Sequence, residues 1–337
     1  MIYNNVELHN VVDVETDRSP GLILRRLPVD VLESANTCGC EIRFQLRGQS
    51  AVVKLRRPAV DGGQKVGVVD VFHGAFQDTW PYSPQFVTSE ESEIHIQKPA
   101  DLDLLIKISR ERNLPFHPQV VRVCLPYDLP CRFISVEGDV SLPTSAQVPL
   151  LRYLAYGSSI THGGNANSAT ESYAYGIARD LKADLINLGF AGAARLEPEV
   201  ADYIATRRDW NFATLELGIN VLGAWPVAEF AERADYFIGR IAGSYPTRMV
   251  FCTDLFTCHG DFAGDSLVAE YREVIEETVD RLDMPNVHYV PGHSLLKSAT
   301  GLTVDLVHPS ITGMQEIARS FAKSIRTALG DRLPQTK

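Results

Sequence analysis

Four short stretches carry residue types that together can do acyl chemistry. Tyr156-Gly157-Ser158-Ser159-Ile160-Thr161-His162-Gly163-Gly164 presents a small hydroxyl in a glycine-flanked turn, a setting that can expose a nucleophile. Asp305-Leu306-Val307-His308-Pro309 places a carboxylate and an imidazole three residues apart, close enough to come from one turn. Asn187-Leu188-Gly189-Phe190-Ala191-Gly192 and Glu216-Leu217-Gly218-Ile219-Asn220 offer glycine N–H groups and a side-chain amide. Each stretch also has a plainer reading: Gly-Ser-Ser builds ordinary turns and anion-binding nests, glycines serve tight turns, and Asp-x-x-His caps helices. Taken together they supply a nucleophile, a base with an orienting carboxylate, and donors for an oxyanion. The lysine of a phosphate-binding P-loop is missing, which disfavours a nucleotide site.

The elements that must hold these residues change character along the chain. Up to about residue 147 the pattern is β: Glu41–Leu46 alternates, Arg47-Gly48-Gln49-Ser50 reads as a turn, and Ala51–Leu55 as the returning strand of a hairpin. Further strand candidates are Val66–Phe72, Glu93–Gln97, Leu104–Ser109, Val120–Leu125 and Arg132–Val136. Many short strands with almost no helical period indicate an all-β sandwich, jelly-roll-like. After a linker, Ser141–Pro149, strand and helix alternate. Strands are expected at Leu151–Tyr156, Asp184–Leu188, Ala213–Leu217, Arg248–Thr253 and Val287–Val290, with helices at Glu171–Leu181, Pro198–Arg207, Val227–Ile241, Ser266–Leu282 and from Ile311 to Leu329. That alternation predicts a doubly wound, flavodoxin-like parallel sheet, whose ligands bind outside the carboxyl ends of the strands. Two domains are expected, 1–147 and 148–337, and the first three chemical stretches follow strands.

In this order and spacing, Gly157-Ser158-Ser159-Ile160-Thr161, Gly192, Gly218-Ile219-Asn220 and Asp305-Leu306-Val307-His308 resemble the four blocks of the SGNH hydrolases, also called GDSL esterases or lipases. The resemblance spans nearly all of residues 150–330. It implies Ser159 as nucleophile, His308 as general base and acid, Asp305 as its orienter, and an oxyanion hole from the Ser159 and Gly192 N–H groups and the Asn220 side chain. One departure is visible: the family's usual Asp before the nucleophile is Ser158 here. A preceding β-sandwich is similar to the arrangement in family two carbohydrate esterases and in bacterial two-domain SGNH acyltransferases, in which the sandwich can help to form the substrate cleft. The expected chemistry follows the general logic of serine catalysis. His308 accepts the hydroxyl proton as the tetrahedral intermediate forms, and Asp305 fixes the imidazole tautomer. Activity should therefore rise with pH as the imidazole deprotonates, near the reference value of about 6.5.

Aromatic and imidazole side chains near strand ends are candidate substrate contacts: His162, Trp225, Phe256 and His259, with Trp80 from the loop Trp80-Pro81-Tyr82-Ser83-Pro84-Gln85-Phe86. His259 with Asp254 and Cys258 matches no standard metal spacing, and neither metal nor other cofactor is expected. The formal net charge of −10 lacks the electrostatic footprint of a nucleic-acid or anionic-membrane binder. No stretch approaches the ~18 apolar residues of a membrane span, and Met1–Glu7 lacks the basic and apolar regions of a secretory signal, so a cytoplasmic location is expected. The six cysteines then read as reduced structural thiols. The function these features point to is a serine esterase acting on short acyl esters, such as acetyl esters of a sugar or small molecule, through an acyl-Ser159 intermediate. Transfer of the acyl group to another hydroxyl is the alternative, and a catalytically inactive glycan-binding protein is the third reading.

Overall fold

The computed structural model describes residues 1–58 and 66–330. Two sheets organise it. Arg152–Gly157, Asp184–Gly189, Phe212–Glu216, Met249–Thr253 and Val287–Tyr289 form a five-stranded sheet in the spatial order second, first, third, fourth, fifth. Every pairing in it is parallel. This is the flavodoxin-like order, and the chain leaves the first strand toward one side and then the other. The switch point falls on Ser158-Ser159.

Residue alternation along the strands sorts two cores. Leu154, Tyr156, Ile186, Leu188, Ala213, Leu215, Val250 and Cys252 face the helices Pro198–Thr206, Val227–Ser244 and Ser266–Leu282. Tyr153, Ala155, Leu185, Phe212, Met249 and Phe251 face Tyr173–Leu181 and Ile311–Leu329. Both faces are covered, which is why these strands read as continuous apolar runs. Among the described residues no helix is long and apolar enough to cross a membrane.

The N-terminal part is an antiparallel, β-rich sandwich assembled around one long strand, Glu41–Arg56. The expected hairpin at Arg47–Ser50 is therefore corrected to a bend within a continuous strand. Leu46 and Ala51 both point into the core although strict alternation would put them on opposite faces. The bend absorbs three extra residues, 47–50 standing opposite Asp139 alone, while strand Arg132–Ser141 stays paired across it through a register shift beside Gly138. Gly138 has φ +131°, and a Cβ there would lie 2.9 Å from the Ser50 carbonyl oxygen, so only glycine fits this crossing. A second correction concerns Leu104–Ser109, which lies in an α-helix, Leu102–Glu111. Leu102 and Ser109 are buried at helical spacing, and Asp103 in the first turn and Arg110 in the last complement the helix dipole. Strands Val6–His9 and Leu22–Arg25 were not anticipated.

The sandwich is bonded to the parallel sheet through buried charge. Arg43 donates to both carboxylate oxygens of Asp184 at 3.0 and 2.6 Å and to Glu41 at 2.7 Å. Arg122 donates to Glu41 at 2.8 Å and to the Tyr175 hydroxyl at 3.0 Å. Both guanidiniums lie over the Phe116 ring, 4.8 and 3.9 Å from its centroid. Burial alone would raise the Asp184 carboxyl, but the Arg43 charge overrides it and holds it below its ordinary value. Replacing one partner of such a buried pair strands the other, so Arg43→Met is expected to lower the unfolding free energy by about 3–5 kcal/mol. Urea denaturation checks this, and a loss under about 1 kcal/mol would mean that the pair contributes little.

Candidate active site

Ser159 opens a short helix, Ser159–His162, at the carboxyl end of the first parallel strand. Ser158 is its N-cap, accepting from the Ile160 N–H at 3.1 Å. The Ser158 hydroxyl in turn donates to Glu216, with oxygen separations of 2.7 and 3.0 Å, and the Ser158 N–H donates to the same carboxylate at 2.7 Å. Thr161 Oγ1 donates to it as well, at 3.0 Å. Glu216 ends the third parallel strand and is buried without an ion pair among the described residues. It thus locks both sides of Ser159, a support that sequence reasoning missed. A lone charged residue closing the apolar run Phe212-Ala213-Thr214-Leu215 was the available signal.

Ser159 Oγ lies 2.8 Å from His308 Nε2, and His308 Nδ1 lies 2.7 Å from Asp305 Oδ2. The other carboxylate oxygen of Asp305 accepts from the His308 and Val307 N–H groups, both at 2.9 Å, and from the Thr303 hydroxyl at 2.8 Å. Desolvation works to raise the Asp305 carboxyl, but these bonds outweigh it and hold the group well below the usual carboxylate range. Asp305 is therefore ionised at neutral pH. The turn is tight, with Leu306 at φ +54°, and the Leu306 carbonyl is fastened by the His259 N–H at 2.6 Å. Thr303, a member of this turn, was not anticipated. Gly164 packs against the pair, since a Cβ there would lie 3.3 Å from His308 Cδ2 and 3.5 Å from Ser159 Cβ.

The expected oxyanion donors sit around the same point of the sheet edge. Gly192 adopts φ +71° in an exposed turn, a conformation that favours glycine. The Ser159 and Gly192 N–H groups have no hydrogen-bond partner among the described residues. Asn220 is half-buried and donates from Nδ2 to the Ala193 carbonyl, which ties it to the Gly192 turn and leaves its second N–H available.

The substrate-contact candidates separate. His162 is corrected to a structural residue: it is 2% exposed, and its ring nitrogens face the Tyr127 and Gly189 carbonyls. Burial foremost, and the Arg26 charge, push its pKa down to about 4, so the ring is neutral and has one proton for two carbonyls. The shorter contact, to Tyr127, takes it. Phe256 is also corrected, because it is buried in the core edge-on to Tyr173. Trp225 packs half-buried against the other core, with Arg233 5.6 Å from its ring centroid. Trp80 is 75% exposed and has no hydrogen bond or ring contact among the described residues. His259 alone of the five is tied to the catalytic turn, through its backbone. All six cysteines are free and buried. Among the described residues no cluster of metal-ligating side chains occurs.

A doubly wound sheet with Ser159, His308 and Asp305 in hydrogen-bond series at its switch point defines an SGNH-type α/β protein. The chain belongs to the GDSL-like lipase/acylhydrolase family, a family of carboxylic ester hydrolases, which matches residues 152–326. No curated protein sequence matches it. Among solved structures it is similar to the salicylyl-acyltransferase SsfX3 of a tetracycline biosynthetic pathway, at 19% identity and a TM-score of 0.77 over 98% of this chain and 96% of that one. A family two carbohydrate esterase of Clostridium thermocellum in complex with cellohexaose is similar at 16% identity and TM-score 0.62, over 88% and 94% of the two chains. The acetyl xylan esterase Est2A of the rumen bacterium Butyrivibrio proteoclasticus is similar at 13% and 0.61, over 98% and 97%. At these identities the likeness is one of fold, and it extends over both parts of the chain.

Burial raises the Glu216 carboxyl above its ordinary value of 4.5, with the Ser158 and Thr161 hydrogen bonds opposing. A group raised in the folded state stabilises fully below its unfolded value and loses that contribution as pH rises through the folded one. The stability advantage of wild type over Glu216→Gln should therefore shrink as pH is raised from 4.5, in urea titrations at several pH values. An advantage that grew with pH would contradict a desolvated Glu216.

Proposed function

We propose that the protein is a serine esterase that hydrolyses short acyl esters of a sugar or small molecule. The observation that carries this reading is the series Ser159 Oγ, His308 Nε2 at 2.8 Å, and Asp305 at 2.7 Å from His308 Nδ1. A serine hydroxyl is a poor nucleophile until a base takes its proton as the carbon–oxygen bond forms. His308 is that base, and ionised Asp305 holds its Nδ1–H and stabilises the imidazolium. Negative charge on the former carbonyl oxygen is met by the Ser159 and Gly192 N–H groups and by the free N–H of Asn220. Collapse of the tetrahedral adduct breaks the ester bond, and His308 returns its proton to the leaving alcohol. Water, deprotonated by His308, then attacks acyl-Ser159 and releases the acid.

A hydroxylated leaving group suits the surroundings. One residue beyond Gly164 begins a cavity of about 360 Å³ whose wall comes from both parts of the chain and sets the polar Tyr127, Asp128, Asn165, Asn167 and Ser168 among Val66, Val68, Pro126 and Ala166. The carbohydrate esterases among the structurally similar proteins agree with this choice. The second reading, acyl transfer to a hydroxyl other than water by the same residues, is favoured by the match to SsfX3 over 98% of this chain. We also take the chain to divide at residues 147 and 148, where the turn Ser145–Gln147 separates antiparallel from parallel pairing. Residues 331–337 of the second part lie outside the described residues.

Release of p-nitrophenol from p-nitrophenyl acetate, with and without added sugars and aromatic alcohols, tests the reading. Ser159→Ala is expected to remove nearly all turnover, and full retention would refute the assignment. Asn220→Ala should lower kcat by an amount equivalent to roughly 2.7–4 kcal/mol with little change in KM; an unchanged kcat would remove Asn220 from the oxyanion site. Acylated acceptor formed at the expense of free acetate would select the transferase.

A further inference from the structure

The second parallel strand lies at the edge of its sheet, so one row of its carbonyls has no strand to pair with. Side chains from the sandwich fill that row. His9 Nε2 meets the Leu185 carbonyl at 2.6 Å, Asn10 Nδ2 donates to Asn187 O at 2.9 Å, and one Arg26 terminal nitrogen donates to both Asn187 O and Gly189 O at 2.9 Å. Arg26 also donates from Nε to Asn36 O at 2.8 Å, and its guanidinium carbon sits 4.4 Å from the Phe190 ring centroid.

Arg26 differs from the other two in cost. It is 1% exposed, pairs with no carboxylate, and its other terminal nitrogen has no partner among the described residues. A desolvated cation balanced by carbonyl dipoles and one ring face, with no countercharge, is expensive, and an aliphatic side chain of similar size would avoid that cost. What it grips is the last turn before Phe190-Ala191-Gly192. Gly189 is pressed against the nucleophile helix so closely that a Cβ there would lie 2.3 Å from His162 N. Asn187 donates from its side chain to Thr161 O at 3.0 Å. A shift of this strand end would therefore move the Gly192 turn and one flank of the Ser159 helix together.

We propose that Arg26 is a positioning residue for the acyl-transfer reaction, holding the Asn187 and Gly189 carbonyls so that the Gly192 N–H and the Ser159 helix keep the geometry the oxyanion requires. This rests on the serine-esterase reading above. The sandwich thereby reaches the reaction through one buried guanidinium. Its positive charge also contributes to lowering the pKa of the buried His162.

The test compares wild type, Arg26→Met and Arg26→Lys by steady-state hydrolysis of p-nitrophenyl acetate, by urea unfolding, and by affinity for phenylboronic acid, whose serine adduct is a tetrahedral anion. Loosened geometry in a folded Arg26→Met should lower kcat by about ten- to a hundredfold, with KM within about twofold of wild type. Boronate affinity should fall by a similar factor, and Arg26→Lys, which keeps the charge and one reach to the carbonyls, should recover part of both. Unchanged kcat in folded Arg26→Met, or loss of kcat with full boronate affinity, would overturn the proposal. Should Arg26→Met not fold, Arg26→Lys decides: lowered kcat at unchanged KM supports the proposal, and wild-type kcat overturns it. Wild type without Ser159-dependent turnover would instead defeat the esterase reading itself, an outcome visible before any Arg26 variant is compared.

Discussion

An edge strand in a sheet offers unpaired carbonyls that have to be satisfied by something. In this protein the strand is Asp184–Gly189, and the sandwich satisfies it with His9, Asn10 and Arg26 while Arg43 grips Asp184 at its start. Two parts of the chain that could have been joined loosely are thereby docked along the full length of one strand. The same strand leads into the Gly192 turn and flanks the Ser159 helix, so the contact that solves an edge problem also holds these two segments together.

Around the nucleophile, the structure substitutes long-range support for local support. Ser158 has no charge of its own, and the buried Glu216 carboxylate gathers the Ser158 N–H, the Ser158 hydroxyl and the Thr161 hydroxyl in one place. On the opposite side, Asp305 is held by its own turn, through Thr303, Val307 and His308. Ser159 is thus fixed from the sheet and His308 from a self-bonded loop. Ser159 Oγ and His308 Nε2 meet at 2.8 Å, and the last helix, Ile311–Leu329, which follows the base's turn, shares a core with Ile160 of the Ser159 helix.

Much of this was legible in the sequence where it depends on local pattern. Buried parallel strands are continuous apolar runs and their helices are amphipathic, so the five strands of the second part fall within a residue or two of expectation. The chemical stretches stood out because small residues and Asn recur at strand ends and Asp-x-x-His stands just before the last helix. Glu41–Arg56 was misread because a bend and a turn share the same residues, Arg-Gly-Gln-Ser, and only the strands paired on both edges distinguish them. Leu102–Glu111 was misread because Leu104 to Ser109 also satisfies a strand pattern over so short a window. His162 and Phe256 looked exposed by their position after a strand, yet burial is set by Tyr127, Gly189 and Tyr173 from elsewhere in the chain. Arg26 carries no local signal at all, since its carbonyl partner at Gly189 lies 163 residues away.

The central claim is that the acyl group passes through Ser159. Acid-quenching the wild-type protein during turnover of p-nitrophenyl acetate, followed by proteolysis and mass-spectrometric mapping, tests it most directly. The account predicts an acetyl group on the peptide carrying Ser158 and Ser159, located on Ser159 by fragmentation and more abundant when deacylation is slowed by lowering the pH. Acetyl on Ser158 or on another side chain, or turnover with no acylated peptide under conditions that slow deacylation, would contradict it.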